Sequence, residues 1–332
     1  MNITWGILSK YRNELYGFSI IWIILFHGMN LAKTDSPKIF SFLKPFLKHG
    51  NCGVEIFLFL SGISLYFSMK NNNDIIQFYK NRLSRLIVPF FLIDGIYWGY
   101  TCLYKKEDFM LFFKKITFYS FWFEKDGLVW FVAFILWMYL LYPIIFHIIE
   151  KDKKIVGCII LIVGAYSICF ILKNWNLTWF NSVEIALTRA PVFFLGCCFG
   201  KLVYDNKIIS RKWRIVTLLL SFYGLSYFYQ HPYSLVKYFR VTYFFVGPSL
   251  TLWIAIILDI LGNKRINKLL CLWGGLSLEL YLTHFAIRKE FLQSSYYCMN
   301  YKNNYYMYLL VCFLGAFLIS KVISIIYRKY FK

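Results

Sequence analysis

Apolar stretches of membrane-spanning length recur along the whole chain, separated by short polar segments. They fall near residues 13–31, 53–69, 86–104, 128–148, 155–172, 183–200, 214–230, 239–261, 269–287 and 306–326. A helix of about 20 apolar residues crosses the roughly 30 Å hydrocarbon core of a bilayer. It also satisfies its own backbone N–H and C=O groups there. The pattern predicts an all-α, polytopic integral membrane helical bundle of about ten transmembrane helices. No internal repeat is visible and the connecting segments are short, so residues 1–332 read as a single transmembrane domain with no appended soluble domain. Lys10 and Arg12 precede the first run, and no small-residue cleavage pattern follows it. That run therefore reads as a span and not as a cleaved signal peptide.

Composition sharpens this picture. Of 332 residues, 59% are hydrophobic, 22% aromatic and 16% charged, against about 45–50% apolar and about 25% charged in soluble domains. A soluble enzyme, a disordered chain and a disulfide scaffold are excluded. The net charge of +21 would suggest nucleic acid in a soluble protein. Here the basic residues sit in short loops, where the positive-inside rule and anionic headgroups account for them. The lipid bilayer, not nucleic acid, is the expected partner. Arg12, Arg82, Arg85, Arg211, Arg214, Arg265 and Arg328 share one side with the N-terminus, against Arg240 and Arg288 on the other. Both termini are thus expected in the cytoplasm. The nine cysteines show no C-x-x-C and no zinc-like spacing, so no metal site is expected. Their odd number also argues against a disulfide framework, and they read as small hydrophobes.

Ionisable residues inside spans are costly and face a cavity or a partner. They are His27, Glu55, Asp94, Glu184, Arg189, Glu279 and His284. In the expected orientation His27, Glu55, Trp130 and His284 lie at similar depth near the outer face. A histidine with a carboxylate neighbour can act as a general base. Taken singly, His27 also reads as a water-facing interfacial histidine, Glu55 as half of a structural ion pair and Trp130 as a belt anchor. Arg189 is a candidate partner for Glu184 or Glu55. On the inner side Arg82 and Arg85 share a helical face. Two guanidinium groups there suit a polyphosphate, or simply form a cluster of positive charge that stops translocation. Arg12 and His27 stand 15 residues apart, roughly 22 Å along a helix. That layout suits a donor entering from the cytoplasm and extending a long arm inward.

Six blocks in order resemble the bacterial membrane acyltransferase-3 family, from about residue 10 to 325. They are Tyr11–Leu15 running to Ile23–His27; Gly53–Gly62, with Glu55 and Ser61; Phe78–Pro89, with Arg82 and Arg85; Trp130-Phe131 with Tyr139 and Pro143; Phe193–Gly196; and Leu276–His284. One position departs: many members carry an arginine eleven residues before the first-span histidine, where this chain has Tyr16. Arg12, one turn earlier, either takes over that contact or the contact is absent. The resemblance implies a multi-pass enzyme of the bacterial inner (plasma) membrane, of the stand-alone polysaccharide O-acyltransferase type. Such an enzyme moves an acyl group, usually acetyl, from cytoplasmic acyl-CoA to a hydroxyl of a cell-surface or exported polysaccharide such as a capsule. Acetyl-CoA is then a donor substrate, no cofactor is bound, and the acceptor is a surface glycan or lipid-linked saccharide. His27 and Glu55 become the catalytic pair, with His27 as general base or covalent acyl carrier. Arg82, Arg85 and Arg12 hold acyl-CoA; Ser61, Trp130, Tyr281 and His284 line the acceptor pocket. The competing readings are a glycan polymerase, which would carry a longer, arginine-rich outer loop than 105–127 or 288–305, and a lipid-linked sugar transporter. The transporter would show repeats and broken spans, and neither is visible in the sequence.

Overall fold

The computed structural model describes residues 3–29, 43–72, 74–152, 155–231, 240–293 and 305–331. Among these no strand forms, and Thr4 and Ile208 make one isolated antiparallel bridge. Twelve of the helices build the bundle. They are α1 (Arg12–Met29), α2 (Gly53–Asn71), α3 (Ile75–Tyr104), α4 (Trp130–Lys151), α5 (Val156–Trp175) and α6 (Leu177–Leu187). The rest are α7 (Ala190–Tyr204), α8 (Arg211–Gln230), α9 (Val241–Leu261), α10 (Lys264–Gly275), α11 (Ser277–Gln293) and α12 (Tyr308–Tyr330).

Polar residues between the apolar runs start these helices by capping free N–H groups. The Asp74 carboxylate accepts from the backbone N–H of Ile76 and Gln77 at α3. Asn176 does so for Trp179, Ser210 for Trp213, and Asn263 for Arg265 and Ile266. Gly262 ends α9 with φ of +55°, a left-handed conformation that glycine adopts without a Cβ clash.

Every expected span falls on a helix. Seven helical segments among the described residues are long and apolar enough to cross a membrane, or eight if α10 and α11 form one bent span. Helices α1 and α8, of 18 and 20 residues, fall outside that set. Each opens on polar residues, Arg12-Asn13-Glu14 and Arg211-Lys212. Three expectations are corrected. The third span begins at Ile75, so Arg82 and Arg85 lie on the spanning helix itself and not ahead of it. One span is also broken, where α10 and α11 meet at 69°, and α6 and α7, interrupted at Thr188–Arg189, together form one spanning segment. Finally, Cys158 of α5 and Cys198 of α7 form a disulfide, while the other described cysteines are free. Cys298 and the 294–304 part of the second long loop lie outside the described residues.

Helix α2 is central, buried over 83% of its span, whereas α5 and α12, at 22% and 28%, face outward. Large apolar residues such as Ile144, Ile160, Ile171 and Leu318 point away from the bundle, as lipid-facing positions do. Two seams bring helix backbones together. A Cβ on Gly196 of α7 would stand 2.1 Å from the Phe59 carbonyl oxygen of α2, and one on Gly62 2.5 Å from the Phe193 carbonyl oxygen. A Cβ on Gly17 of α1 would stand 1.9 Å from the Leu270 carbonyl oxygen of α10, and one on Gly274 1.7 Å from that of Asn13. Between membrane helices, packing of this kind replaces the hydrophobic drive that lipid removes. The N-terminal segment is tied down separately. Lys10 Nζ and the Tyr11 hydroxyl both donate to Asp259 of α9, at 2.6 and 2.9 Å. The hydrogen bond to Asp259 raises the Lys10 ammonium above its ordinary pKa.

Candidate active site

Two cavities lie in tandem along the bundle. The first, of about 250 Å³, is lined by Arg12, Asn13 and Tyr16 of α1 and Val54, Phe57, Ser61 and Ser64 of α2. Arg82, Arg85 and Leu86 of α3, Phe131, Ile135 and Tyr139 of α4, and Ser277, Leu278 and Tyr281 of α11 complete it. The second, of about 140 Å³, is lined by Ile23, Phe26, His27, Asn51, Val54, Trp130, Ile185, Arg189, Arg240, Tyr281 and Phe285. We call them the arginine chamber and the histidine chamber.

The order of lining residues is consistent in every helix. Along α1 and α11 the chain passes from the arginine chamber (12, 13, 16; 277, 278) to the histidine chamber (23, 26, 27; 285). Along α2 and α4 it passes the other way (54 to 57, 61, 64; 130 to 131, 135, 139). The two pairs of helices run antiparallel, and the chambers are adjacent, successive levels of the bundle. Residues 277, 281 and 285 recur at i+4, the spacing that keeps one helical face toward a cavity. Adjacent residues of the Trp130-Phe131 pair serve one chamber each.

His27 forms its closest polar contact with His284, Nδ1 to Nε2 at 3.0 Å. His284 Nδ1 lies 2.9 Å from the Leu280 carbonyl oxygen. A carbonyl only accepts, so His284 Nδ1 is the donor and, in the neutral ring, Nε2 is the acceptor. His27 Nδ1 therefore donates, and its Nε2 carries the lone pair. Phe285 packs on both imidazoles at ring distances of 4.8 and 4.4 Å and fixes their planes. His284 is fully buried and does not line the histidine chamber; it stands behind His27 and orients it.

Glu55 does not reach His27. Its Oε1 stands 3.0 Å from Arg189 Nε, both side chains are 2% exposed, and among the described residues neither Glu55 oxygen has a hydrogen-bond partner. Of the two partners weighed for Arg189, Glu55 is the one realised. Arg189 sits at the break between α6 and α7, donates to the Ile185 carbonyl oxygen at 2.7 Å and lies over the Trp130 ring at 4.8 Å. Trp130 is thus held by a guanidinium on its face, a cation–π contact strengthened by burial. Glu184 pairs instead with Arg240, whose Nη2 approaches at 3.4 Å and whose Nε donates to Thr188 Oγ1 at 3.2 Å.

At the other level Arg12, Arg82 and Arg85 converge on one cavity, and Arg82 Nη2 also donates to the Ser64 carbonyl oxygen at 3.2 Å. Arg12 lines that cavity together with Tyr16, one turn further along α1. Ser61 and Tyr281 separate: Ser61 lines the arginine chamber, and Tyr281 lines both. Sequence reasoning missed Arg240, counted there as an ordinary loop arginine, and Asn51 and Phe285. Only Arg240 left a signal, a lone arginine at the outer end of an apolar run. The three guanidinium groups can hold an anion, and the lone pair of His27 can accept a proton.

The acyltransferase domain family matches residues 15–325. No curated protein and no solved structure matches the chain. The match begins inside α1, just after Arg12 and Asn13, and takes in the whole of α2, α4 and α11, the other helices that line both chambers; the chain belongs to the acyltransferase-3 family of membrane acyltransferases.

Proposed function

We propose that the protein moves an acyl group, acetyl first among them, from cytoplasmic acyl-CoA to a hydroxyl of an exported or cell-surface polysaccharide. The observation that carries this reading is the tandem of chambers, three arginines at one level and an unblocked imidazole nitrogen at the next. Arg12, Arg82 and Arg85 hold the donor's phosphates by charge-assisted hydrogen bonds. The arginine level faces the cytoplasm of the plasma membrane, in keeping with the arginine-rich segments on that side. The thioester arm runs along α1 toward His27.

His27 Nε2 takes the proton of the acceptor hydroxyl as its oxygen attacks the thioester carbonyl. The tetrahedral intermediate collapses with loss of the CoA thiolate, which takes the proton back from the imidazolium. His284 accepts the His27 Nδ1–H throughout and holds the ring in its productive tautomer. General base assistance of this kind contributes about 10²–10⁴-fold. Trp130 offers its ring to the sugar, and Arg189 and Glu55 position Trp130.

The test is NMR of the surface polysaccharide from cells with the intact gene, a deletion and a His27→Ala complement. Loss of O-acyl signals in both defective strains, with a normal polymer backbone, is expected. Altered polymer length with unchanged acylation would point to a glycan polymerase and overturn the reading.

A further inference from the structure

The two chambers share two lining residues, Val54 of α2 and Tyr281 of α11. Every other lining side chain belongs to one level. In the acyl-CoA reading, a donor that reaches from the arginines to His27 runs alongside these two. Tyr281 is 4% exposed, and its ring is held at 4.9 Å from Phe131, 5.1 Å from Phe285 and 5.7 Å from His284. A ring fixed on three sides by other rings is a rigid wall and not a loose cover. Its hydroxyl is buried with no hydrogen-bond partner among the described residues, so the side chain does not tie one described helix to another. An unpaired buried hydroxyl is costly, and it is compensated when a polar group of a ligand passes beside it. The amide-bearing arm of the donor is such a group.

We propose that Tyr281, set against Val54, is a partition that sets the acyl chain length: it passes the slender arm and a short acyl group into the histidine chamber and rejects longer ones. The inference rests on the acyl-CoA reading above and adds a specificity-determining residue to it. The histidine chamber, the smaller of the two, must hold the acyl group and the acceptor hydroxyl together. Truncating Tyr281 joins the levels and gives a longer acyl chain somewhere to lie. In a close-fitting apolar pocket, each methylene changes discrimination by about 10–200-fold.

The test is equilibrium binding of CoA, acetyl-CoA, butyryl-CoA and octanoyl-CoA to the full-length protein in nanodiscs, in a His27→Ala background that prevents turnover. With Tyr281 intact, octanoyl-CoA is expected to bind at least about tenfold more weakly than acetyl-CoA. Tyr281→Ala brings the two within about threefold and Tyr281→Phe keeps the discrimination, while both variants lose the hydroxyl beside the arm and so bind free CoA more weakly than the parent does by a similar factor. Val54→Phe narrows the gap from the other side and lowers butyryl-CoA binding more than acetyl-CoA binding; it carries the test if Tyr281→Ala does not fold. Discrimination that is absent with Tyr281 intact, that survives Tyr281→Ala, or that is unmoved by Val54→Phe would overturn the partition. If even free CoA does not bind, the donor reading fails first and the partition with it.

Discussion

The Glu55–Arg189 pair lends itself to a quantitative test. Both side chains are 2% exposed, their charged atoms are 3.0 Å apart, and among the described residues Glu55 makes no hydrogen bond. Removing one member of such a pair leaves an uncompensated buried charge and costs about 3–5 kcal/mol. Glu55→Gln strands a guanidinium that cannot lose its proton, although the Ile185 carbonyl and the Trp130 ring still support it. Arg189→Met strands a carboxyl group that can discharge itself by taking a proton, so its cost lies at the lower end of that range. The double variant strands neither charge. Its cost is therefore expected to fall below the sum of the single costs by at least about 2 kcal/mol. The assay is a double-mutant cycle read by detergent-induced unfolding in mixed micelles. Trp130 fluorescence, followed against a Trp130→Phe control, reports whether the ring keeps its place. Costs that add within about 0.5 kcal/mol would show the two residues to be uncoupled and would refute the pairing as the support of Trp130.

Three further outcomes are expected. His284→Leu removes the acceptor that orients His27 and lowers kcat by about 10²-fold with the KM for acyl-CoA unchanged; steady-state kinetics on purified protein check the split. Arg82→Ala with Arg85→Ala raises that KM by at least about tenfold, because each charge-assisted hydrogen bond contributes about 1.5–3 kcal/mol, while kcat changes less. Gly196→Val places a Cβ 2.1 Å from the Phe59 carbonyl oxygen and prizes α2 from α7; the yield of monodisperse protein on size exclusion in detergent should collapse, whereas Gly164→Val, with open space around it, should express normally.

The helical spans were legible because lipid imposes one demand, a long apolar helix, that leaves a strong mark on sequence. The pairing of side chains between spans leaves none. Glu55 and His27 sit at similar depth, and depth alone made them look like partners; helix rotation turns Glu55 toward Arg189 and His27 toward His284. The role of Gly62 and Gly196 was equally hidden, since a glycine in an apolar run reads the same whether it faces lipid or another backbone. The disulfide between Cys158 and Cys198 joins residues 40 apart, which cysteine spacing cannot announce. The convergence of Arg12, Arg82 and Arg85 was accessible because all three stand at the same end of their spans.

Arg12 and His27 occupy opposite ends of one unbroken helix, and the Gly17–Gly274 seam clamps that helix to its neighbour. The distance between the arginine and histidine levels is therefore a count of residues. One residue inserted between Gly17 and Trp22 would lengthen the rod by only about 1.5 Å but swing His27 about 100° around it, away from both the chamber and His284. Deleting one residue would do the same in reverse. Insertions and deletions are thus forbidden inside α1, whose sequence can change only by substitution.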